Sequence, residues 1–176
     1  IEIWPASMEQ KYQDDLTDQL QKLFTLLDVK TGIYNVESRV CSNGKAYIME
    51  VSPRGGGNRI AEIQDLATSQ FLIRAEICKA LSLPMDEIKE PKYDGVWCNY
   101  ILHSSIEGTL VSIDIDPTFE TTYVKNKGFI VEKGDHIVPF TGANTSLGTL
   151  FLRAETREDL DNVLRNIHEN VKVRLS

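Results

Sequence analysis

Apolar side chains in the first part of the chain recur at the spacing of an amphipathic helix. Ser7 followed by Gln10 has the spacing of a capping box, so a helix is expected to begin there. The apolar positions then recur every three or four residues and stop before Lys30-Thr31-Gly32; they are Met8, Tyr12, Leu16, Leu20, Leu23, Phe24 and Leu27. This stripe predicts core packing and implies no chemistry.

A β-hairpin is expected over residues 33 to 53, because two alternating runs flank Asn43-Gly44. That dipeptide suits the positive φ angles of a two-residue type I′ turn. The turn sets the register, which predicts one mostly apolar, buried face that pairs Val40 with Tyr47, Ser38 with Met49 and Val36 with Val51. The opposite face is predicted to pair Cys41 with Ala46, Arg39 with Ile48, Glu37 with Glu50 and Asn35 with Ser52.

The rest of the chain changes from a helical to a strand-like pattern. Residues Ile60 to Leu81 are helical in pattern with a break near Thr68-Ser69, and Pro84 and Pro91 mark a linker. Short β-like runs follow, at Val96 to Leu102, Thr109 to Ile115, Thr121 to Lys125, Phe129 to Glu132, His136 to Phe140 and Gly148 to Arg153. The last predicted element is an amphipathic helix with Thr156 as its N-cap and with Leu160, Val163, Leu164, Ile167 and Val171 on one face.

Composition narrows the function classes. The 176 residues are 41% hydrophobic and 26% charged, which allows one sizeable core or two small ones. No stretch approaches the roughly 20 apolar residues of a membrane span and no signal peptide is recognisable, so we expect a cytoplasmic protein without a membrane partner. The formal charge of −7 argues against nucleic acid as a partner. The chain opens on Ile1 as though a strand had been cut from something longer, so we expect a fragment.

The Glu37–Glu50 pair requires a physical explanation. Directly opposed residues have Cβ atoms about 4.5 to 5.5 Å apart, and like charges at that separation destabilise a sheet. A divalent cation would neutralise them, since magnesium takes one or two carboxylates and completes its shell with water and phosphate. Two alternatives stay open: the carboxylates splay apart on a solvated face, or they pair with Arg39 and other cations.

Arg54 follows the same polar face, two residues past Ser52, where the strand runs into Gly55, Gly56 and Gly57. A guanidinium group there can make a bidentate contact with a phosphate beside the metal. The glycines would let a ligand approach the backbone closely. Taken alone, the same residues are equally consistent with a surface arginine and a flexible loop.

The run from Gly32 to Arg39, the turn Asn43-Gly44-Lys45, and the run from Tyr47 to Arg54 with its glycines together resemble the metal-binding hairpin of the ATP-grasp superfamily. The resemblance is close over residues 32 to 60 and looser in the helices on either side. It is strongest with carboxylate-amine ligases and with members like carbamoyl-phosphate synthase and biotin carboxylase. It implies an α+β fold, with the ATP-grasp C-terminal lobe over 1–90 and a β-rich C-terminal subdomain with a terminal helix over 91–176.

The resemblance also implies roles for individual residues. Glu37 and Glu50 would coordinate Mg²⁺ (or Mn²⁺) that bridges the phosphates of ATP, and Arg54 would stabilise the γ-phosphate and the acyl-phosphate. Ser52 would be a metal ligand at a position where the family usually has asparagine. Gly56, Gly57 and Asn58 would border the substrate pocket.

The implied function is ATP-dependent activation of a small carboxylate as an acyl-phosphate for attack by an amine. The implied partners are ATP, the two substrates and the remainder of the ligase upstream of Ile1. Homodimerisation is a further expectation, because the C-terminal region forms a dimer surface in related ligases. Two alternatives stay open: a non-catalytic regulatory or dimerisation module that keeps the ATP-grasp fold, and a component of a biotin-dependent-type carboxylase.

Overall fold

The computed structural model describes residues 1–176, and the chain forms two compact units. We call Ala6–Pro91 the hairpin unit, and we call Ile1–Pro5 together with Lys92–Ser176 the sheet unit. The elements, in chain order, are β1 (Glu2–Trp4), α1 (Gln10–Leu26), β2 (Asn35–Val40), β3 (Ala46–Ser52), α2 (Ile60–Thr68), α3 (Leu72–Ala80), β4 (Val96–Leu102), β5 (Gly108–Ile115), α4 (Pro117–Tyr123), β6 (Val124–Phe129), β7 (His136–Ile137), β8 (Gly148–Ala154), α5 (Arg157–Arg165), α6 (Ile167–Asn170) and β9 (Val171–Leu175).

This mixture of helices and antiparallel strands confirms the expected α+β class. The first five residues belong to the sheet unit, because β1 pairs with β4. None of the helices combines the length and the apolar character that a bilayer crossing requires.

Helix α1 of the hairpin unit begins two residues later than predicted. Its N-cap is Glu9, and no side chain caps the first turn, so the capping box at Ser7 is wrong. The physical reason is that Gln10 Nε2 donates to Asp14 Oδ1 at 2.8 Å, one helical turn ahead, instead of reaching back. The apolar stripe is nevertheless correct in its centre, where Leu16 is buried.

The helical segment after the hairpin is broken where the sequence predicted. Ser69 adopts a left-handed conformation at the end of α2, with a φ of 56°. Asp65 Oδ1 then accepts a hydrogen bond from Leu72 N at 2.5 Å, which joins the end of α2 to the start of α3. This break confirms the interruption predicted near Thr68-Ser69.

The sheet unit contains two antiparallel sheets, with strand orders β1-β4-β8-β6 and β7-β5-β9. Strand β8 is the centre of the core: every residue of it is buried except Arg153, which is half-buried. Helix α5 packs its apolar side into the same core through Leu160 and Val163. Its N-cap is Thr156, as predicted, and the hydroxyl accepts from Asp159 N at 3.1 Å.

The strand predicted at Thr121 to Lys125 is wrong in its first half. Asp116 Oδ1 accepts from the backbone N–H groups of Thr118 and Phe119, both at 2.9 Å, and Pro117 occupies the first helical turn. An aspartate cap followed by proline is a strong helix start. The threonines therefore belong to helix α4, and strand β6 starts only at Val124.

Two further strand predictions are displaced or too long. The strand expected at Phe129 to Glu132 lies at Val124–Phe129, because Glu132 donates its N–H to Asp135 Oδ2 at 2.8 Å and so belongs to a turn. Only the first two residues of the run predicted from His136 to Phe140 form a strand. Pro139, which has no N–H to donate, limits its extension.

The predicted terminal helix is wrong beyond Asn170. The helical segment is interrupted at Asn166, and the chain ends in strand β9, which pairs with β5 from Val171 onward. Val171 therefore packs as a strand residue and not as part of the helical stripe. Pairing with β5 determines the extended conformation of this segment. That long-range effect cannot be seen in the local periodicity of the sequence.

Candidate functional site

The hairpin turn has three residues in its loop instead of the predicted two. Cys41 N donates to Lys45 O at 2.9 Å and Gly44 N donates to Cys41 O at 3.0 Å. Gly44 adopts a φ of 73°, the left-handed position that closes a three-residue hairpin loop. The predicted type I′ turn on Asn43-Gly44 is therefore wrong, and the strands next to the turn are shifted by one residue.

The shift overturns the predicted pairs near the turn. The structure pairs Val40 with Ala46, Arg39 with Tyr47 and Ser38 with Ile48. The predicted pairs Val40–Tyr47, Arg39–Ile48, Ser38–Met49 and Cys41–Ala46 are accordingly wrong.

A β-bulge then restores the predicted register where the carboxylates lie. The register changes between Glu37 and Ser38, and Met49 is the extra residue on β3. Beyond it Glu37 pairs with Glu50, Val36 with Val51 and Asn35 with Ser52, as predicted. We call the side of the hairpin that carries Asn35, Glu37, Glu50 and Ser52 the carboxylate face.

The carboxylate face is open, whereas the other side of the hairpin is packed against α1. Ala46 is 2% exposed, and its carbonyl accepts from Gln19 Nε2 of α1 at 3.0 Å. Glu37 and Glu50 are both exposed. The predicted burial of the apolar face holds only in part, because Val36 and Val51 are half-buried while Val40 is 37% exposed.

No cation of the chain neutralises the carboxylate pair. Neither Glu37 nor Glu50 takes part in any of the ion pairs of the structure, so the predicted alternative of pairing with Arg39 is not adopted. Ser52 Oγ donates to Glu50 Oε1 at 2.5 Å, which orients one carboxylate. Ser52 is thus on the carboxylate face and in contact with a proposed ligand residue.

The donor set fits a hard divalent cation whose remaining ligands come from a substrate. The chain has no cluster of three or more His, Cys, Asp or Glu side chains, so it contains no complete protein cage for a metal. Magnesium does not need one, since it is commonly held by one or two carboxylates together with phosphate and water. Two opposed carboxylates and a neighbouring hydroxyl on an open face match that pattern.

Arg54 leaves the hairpin immediately beyond this donor set. Its backbone N–H donates to Ser52 O at 2.9 Å, which turns the chain sharply around Pro53. Its guanidinium is exposed and donates through Nη1 to Gly55 O at 2.9 Å. The remaining N–H groups of the guanidinium keep their capacity to meet a phosphate.

The glycine loop approaches neighbouring side chains closely at one position. A Cβ atom on Gly56 would lie 2.8 Å from Ile60 Cδ1 and 3.0 Å from Asn35 Oδ1, whereas Gly55 and Gly57 face open space. Asn58 and Arg59 both have positive φ angles, 51° and 61°, before α2 begins. A larger residue at Gly56 would therefore displace the ends of the Ile60 and Asn35 side chains.

Arg59, the residue after Asn58, is engaged in an ion pair within the chain. It forms a two-pronged pair with Glu62, with Nη2 2.7 Å from Oε2. This pair holds the first turn of α2. The substrate roles of Gly56, Gly57 and Asn58 stay predictions.

Sequence reasoning missed a cavity of about 470 Å³ in the hairpin unit. It is lined by α3, by the segment before β2, by Pro53 and by the linker after α3. The signal was present, because Leu72, Ala75, Glu76 and Lys79 recur at three- and four-residue spacing on one face of α3.

Solved structures of an amino acid ligase, a synthetase and a carboxylase domain share this fold. An L-amino acid ligase from Bacillus licheniformis superimposes with a TM-score of 0.82 at 19% identity, covering 99% of this chain and 43% of that one. A phosphoribosylglycinamide synthetase from Anaerococcus prevotii gives 0.80 at 19% identity, covering 99% and 44%. The biotin carboxylase domain of a 2-oxoglutarate carboxylase from Hydrogenobacter thermophilus, solved with MgADP and bicarbonate, gives 0.71 at 14% identity, covering 98% and 38%.

These similarities confirm the expected likeness to ATP-grasp ligases at the level of the fold. The chain spans less than half the length of each of these solved chains. No protein-family model matches the chain, and no curated protein matches it in sequence.

Proposed function

We propose that this chain is the metal- and phosphate-binding part of an ATP-dependent ligase that joins a small carboxylate to an amine. The observation that carries the proposal is the direct pairing of Glu37 with Glu50 on an open face, with Ser52 beside Glu50. Opposed carboxylates without a cation repel each other, and a divalent cation held between them would relieve that repulsion.

In the proposed complex, Glu37 and Glu50 hold magnesium and Ser52 completes the set with its hydroxyl oxygen. The bound ion would supply positive charge to the phosphate oxygens of ATP. Ser52 has two tasks, since its hydroxyl also donates to Glu50 Oε1. A serine reaches less far than the asparagine usual in the resembling family, so we expect weaker metal binding here.

Arg54 is the proposed catalytic residue. Arg54 lies two residues beyond Ser52, and its exposed guanidinium can stabilise the equatorial oxygens of the transferring phosphoryl group. Gly56, Gly57 and Asn58 are proposed to border the substrate, and the close packing of Gly56 keeps that loop near the carboxylate face.

The proposed reaction has two steps. A carboxylate oxygen of the substrate attacks the γ-phosphorus of ATP, and the bond from phosphorus to the bridging oxygen breaks to release ADP. The amine nitrogen then attacks the acyl carbon, the carbon–oxygen bond to phosphate breaks, and the nitrogen loses a proton. Positioning and charge neutralisation account for the protein's contribution.

The names of the structural neighbours support an acyl-activating ligase without identifying its substrates. One is an L-amino acid ligase, one a phosphoribosylglycinamide synthetase, and one a biotin carboxylase domain crystallised with MgADP and bicarbonate. The carboxylase neighbour favours a second candidate function, ATP-dependent activation of bicarbonate. A cytoplasmic location and homodimerisation stay predictions.

The proposal is tested by calorimetric titration of ATP, with and without MgCl₂, into the full-length protein that contains this chain. We expect nucleotide binding that depends on magnesium, and we expect Glu37→Gln and Glu50→Gln each to abolish that dependence and turnover. Asp18→Asn, which removes an exposed carboxylate from α1, is the matched control. Ser52→Asn should strengthen metal-dependent binding.

The alternatives give different results in the same experiment. A regulatory or dimerisation module predicts no metal-dependent nucleotide binding in the unaltered protein. A biotin-dependent-type carboxylase predicts ATP hydrolysis that requires bicarbonate. Full activity in either glutamine variant would contradict the metal role of the pair.

A further inference from the structure

The cavity of about 470 Å³ in the hairpin unit has a mostly apolar wall. Its volume falls within the range of about 300 to 1,000 Å³ that is usual for small-molecule sites. Four separate parts of the chain contribute apolar side chains to it, namely Ile33, Pro53, Leu72 with Ala75, and Met85 with Ile88.

Two opposite charges stand on the same wall, one helical turn apart. Glu76 and Lys79 of α3 both line the cavity and both are exposed. Residues three apart on a helix can pair with each other. These two form no ion pair with each other or with any other residue.

The linker that borders the cavity makes two contacts, one with the break between α2 and α3 and one with α3 itself. Lys89 N donates to Gln70 Oε1 at 2.7 Å, and Arg74 Nη1 lies 4.0 Å from Asp86 Oδ2. These contacts keep Met85 and Ile88 against α3. The apolar wall is thus continuous from the helix to the linker.

We propose that this cavity binds an α-amino acid with an uncharged, apolar side chain. The side chain would occupy the apolar wall, the carboxylate would pair with Lys79, and the ammonium would pair with Glu76. The Cβ atoms of helix residues three apart are about 5 to 6 Å apart, which allows both charged groups to reach the two ends of one zwitterion.

Other ligand classes fit the charges less well. An uncharged apolar molecule would leave both side chains without a partner. A monocarboxylate would be repelled by Glu76, and a simple amine would be repelled by Lys79. The zwitterion satisfies both charges and the apolar wall together.

This inference does not rest on the proposed ligase function. None of Glu37, Glu50, Ser52 and Arg54 lines the cavity, although Pro53 does. Loss of amino-acid binding would leave the metal proposal intact, and loss of metal binding would leave this one intact.

The test is a titration of the 176-residue chain with L-leucine, followed by amide chemical shifts of the hairpin unit. The comparison probes are 4-methylpentanoate, which lacks the ammonium, 3-methylbutylamine, which lacks the carboxylate, and L-glutamate. We expect saturable shifts around α3 and the linker with L-leucine. Binding of 4-methylpentanoate and of 3-methylbutylamine should be weaker by about fivefold or more, the size of one exposed ion pair of about 1 kcal/mol. L-glutamate should also bind more weakly, because its charged side chain does not suit the apolar wall.

Matched variants separate recognition from folding. Lys79→Met and Glu76→Gln should each weaken L-leucine binding by about fivefold, Lys79→Arg should retain it, and Ala80→Phe should abolish it by filling the cavity. Lys22→Met, on the exposed surface of α1, should bind like the unaltered chain. All of these sites except Ala80 lie on exposed, charged positions, so native chemical-shift dispersion is expected in each variant.

Three results would overturn the proposal. The first is the absence of saturable shifts with L-leucine. The second is binding of 4-methylpentanoate as tight as that of L-leucine. The third is unchanged affinity in Lys79→Met.

Discussion

Replacing Glu37 by glutamine should stabilise the hairpin when no divalent cation is present. Glu37 pairs directly with Glu50 and makes no hydrogen bond that the replacement would break. Glutamine keeps the length and shape of the side chain while it removes one negative charge. Glu50→Gln is a less clean perturbation, because Glu50 Oε1 accepts the hydroxyl proton of Ser52.

The size of the effect follows from the geometry of the pair. Directly opposed residues have Cβ atoms about 5 Å apart, and both side chains are exposed, so the dielectric constant of water applies. Two unit charges then repel each other by about 0.8 kcal/mol. Removing that repulsion should slow local opening of the hairpin about fourfold, since RT is about 0.59 kcal/mol.

Amide hydrogen exchange of peptides that cover β2 and β3 is the suitable assay. Tryptophan fluorescence would not report on this region, because Trp4 and Trp97 both belong to the sheet unit. The exchange should be measured in EDTA at low salt, with Asp18→Asn as the control that removes an exposed charge elsewhere in the unit. The gain should shrink in 1 M NaCl, where the Debye length is about 3 Å.

Magnesium should change which hairpin is slowed: the unaltered one instead of Glu37→Gln. Added MgCl₂ should slow exchange in the unaltered hairpin and leave Glu37→Gln unaffected, because only the pair can share an ion. Equal or faster exchange in Glu37→Gln at low salt, without magnesium, would refute the reasoning that the two carboxylates repel each other.

Three further predictions concern the sheet unit. Burial raises the pKa of the Cys98 thiol to about 12. At pH 8 to 9 this thiol should therefore stay protonated and unreactive towards a thiol reagent until the unit unfolds, while the partly accessible Cys41 and Cys78 react. Rapid labelling of all three cysteines would contradict this. Thr156→Ala removes the acceptor for Asp159 N and should lower the free energy of unfolding by about 1 kcal/mol in urea titrations, and no change would argue against the cap. Gly95→Ala would force a Cβ atom to within 2.6 Å of Ala154 O at a φ of 79°, so it should lower the melting temperature of the unit, and an unchanged melting temperature would contradict the contact.

The carboxylate pair could be predicted from the sequence, although part of the reasoning behind it was wrong. The Asn43-Gly44 dipeptide indicated a two-residue turn, whereas the loop has three residues and Gly44 alone takes the left-handed position. That error of one residue is cancelled by the bulge at Met49, so Glu37 still pairs with Glu50. Alternating patterns locate a hairpin well, but a bulge leaves little trace in sequence.

Elements with strong local signals were predicted better than those that depend on distant partners. Strand β4, the break after Thr68 and the Thr156 cap follow from nearby residues, and the structure contains all three. The final strand β9 exists because β5 is available to pair with it, and its Val171 continues a helical stripe in the sequence. Tertiary pairing overrode local periodicity there.

The sequence shows the face of α3 that carries Glu76 and Lys79, but it does not show that this face borders a cavity. Glu76 and Lys79 have the spacing of an ordinary surface ion pair on a helix. Only the structure places the linker residues Met85 and Ile88 opposite them, and only the structure leaves the two charges unpaired.

The central claim is that Glu37 and Glu50 together hold one divalent cation. The most direct measurement is paramagnetic broadening of the amide signals of the chain by Mn²⁺ in the presence of a non-hydrolysable ATP analogue. Broadening should be strongest for residues 35–37 and 50–52, and it should disappear in the Glu37→Gln, Glu50→Gln double variant. Broadening centred on another acidic part of the chain, or unchanged in the double variant, would contradict it.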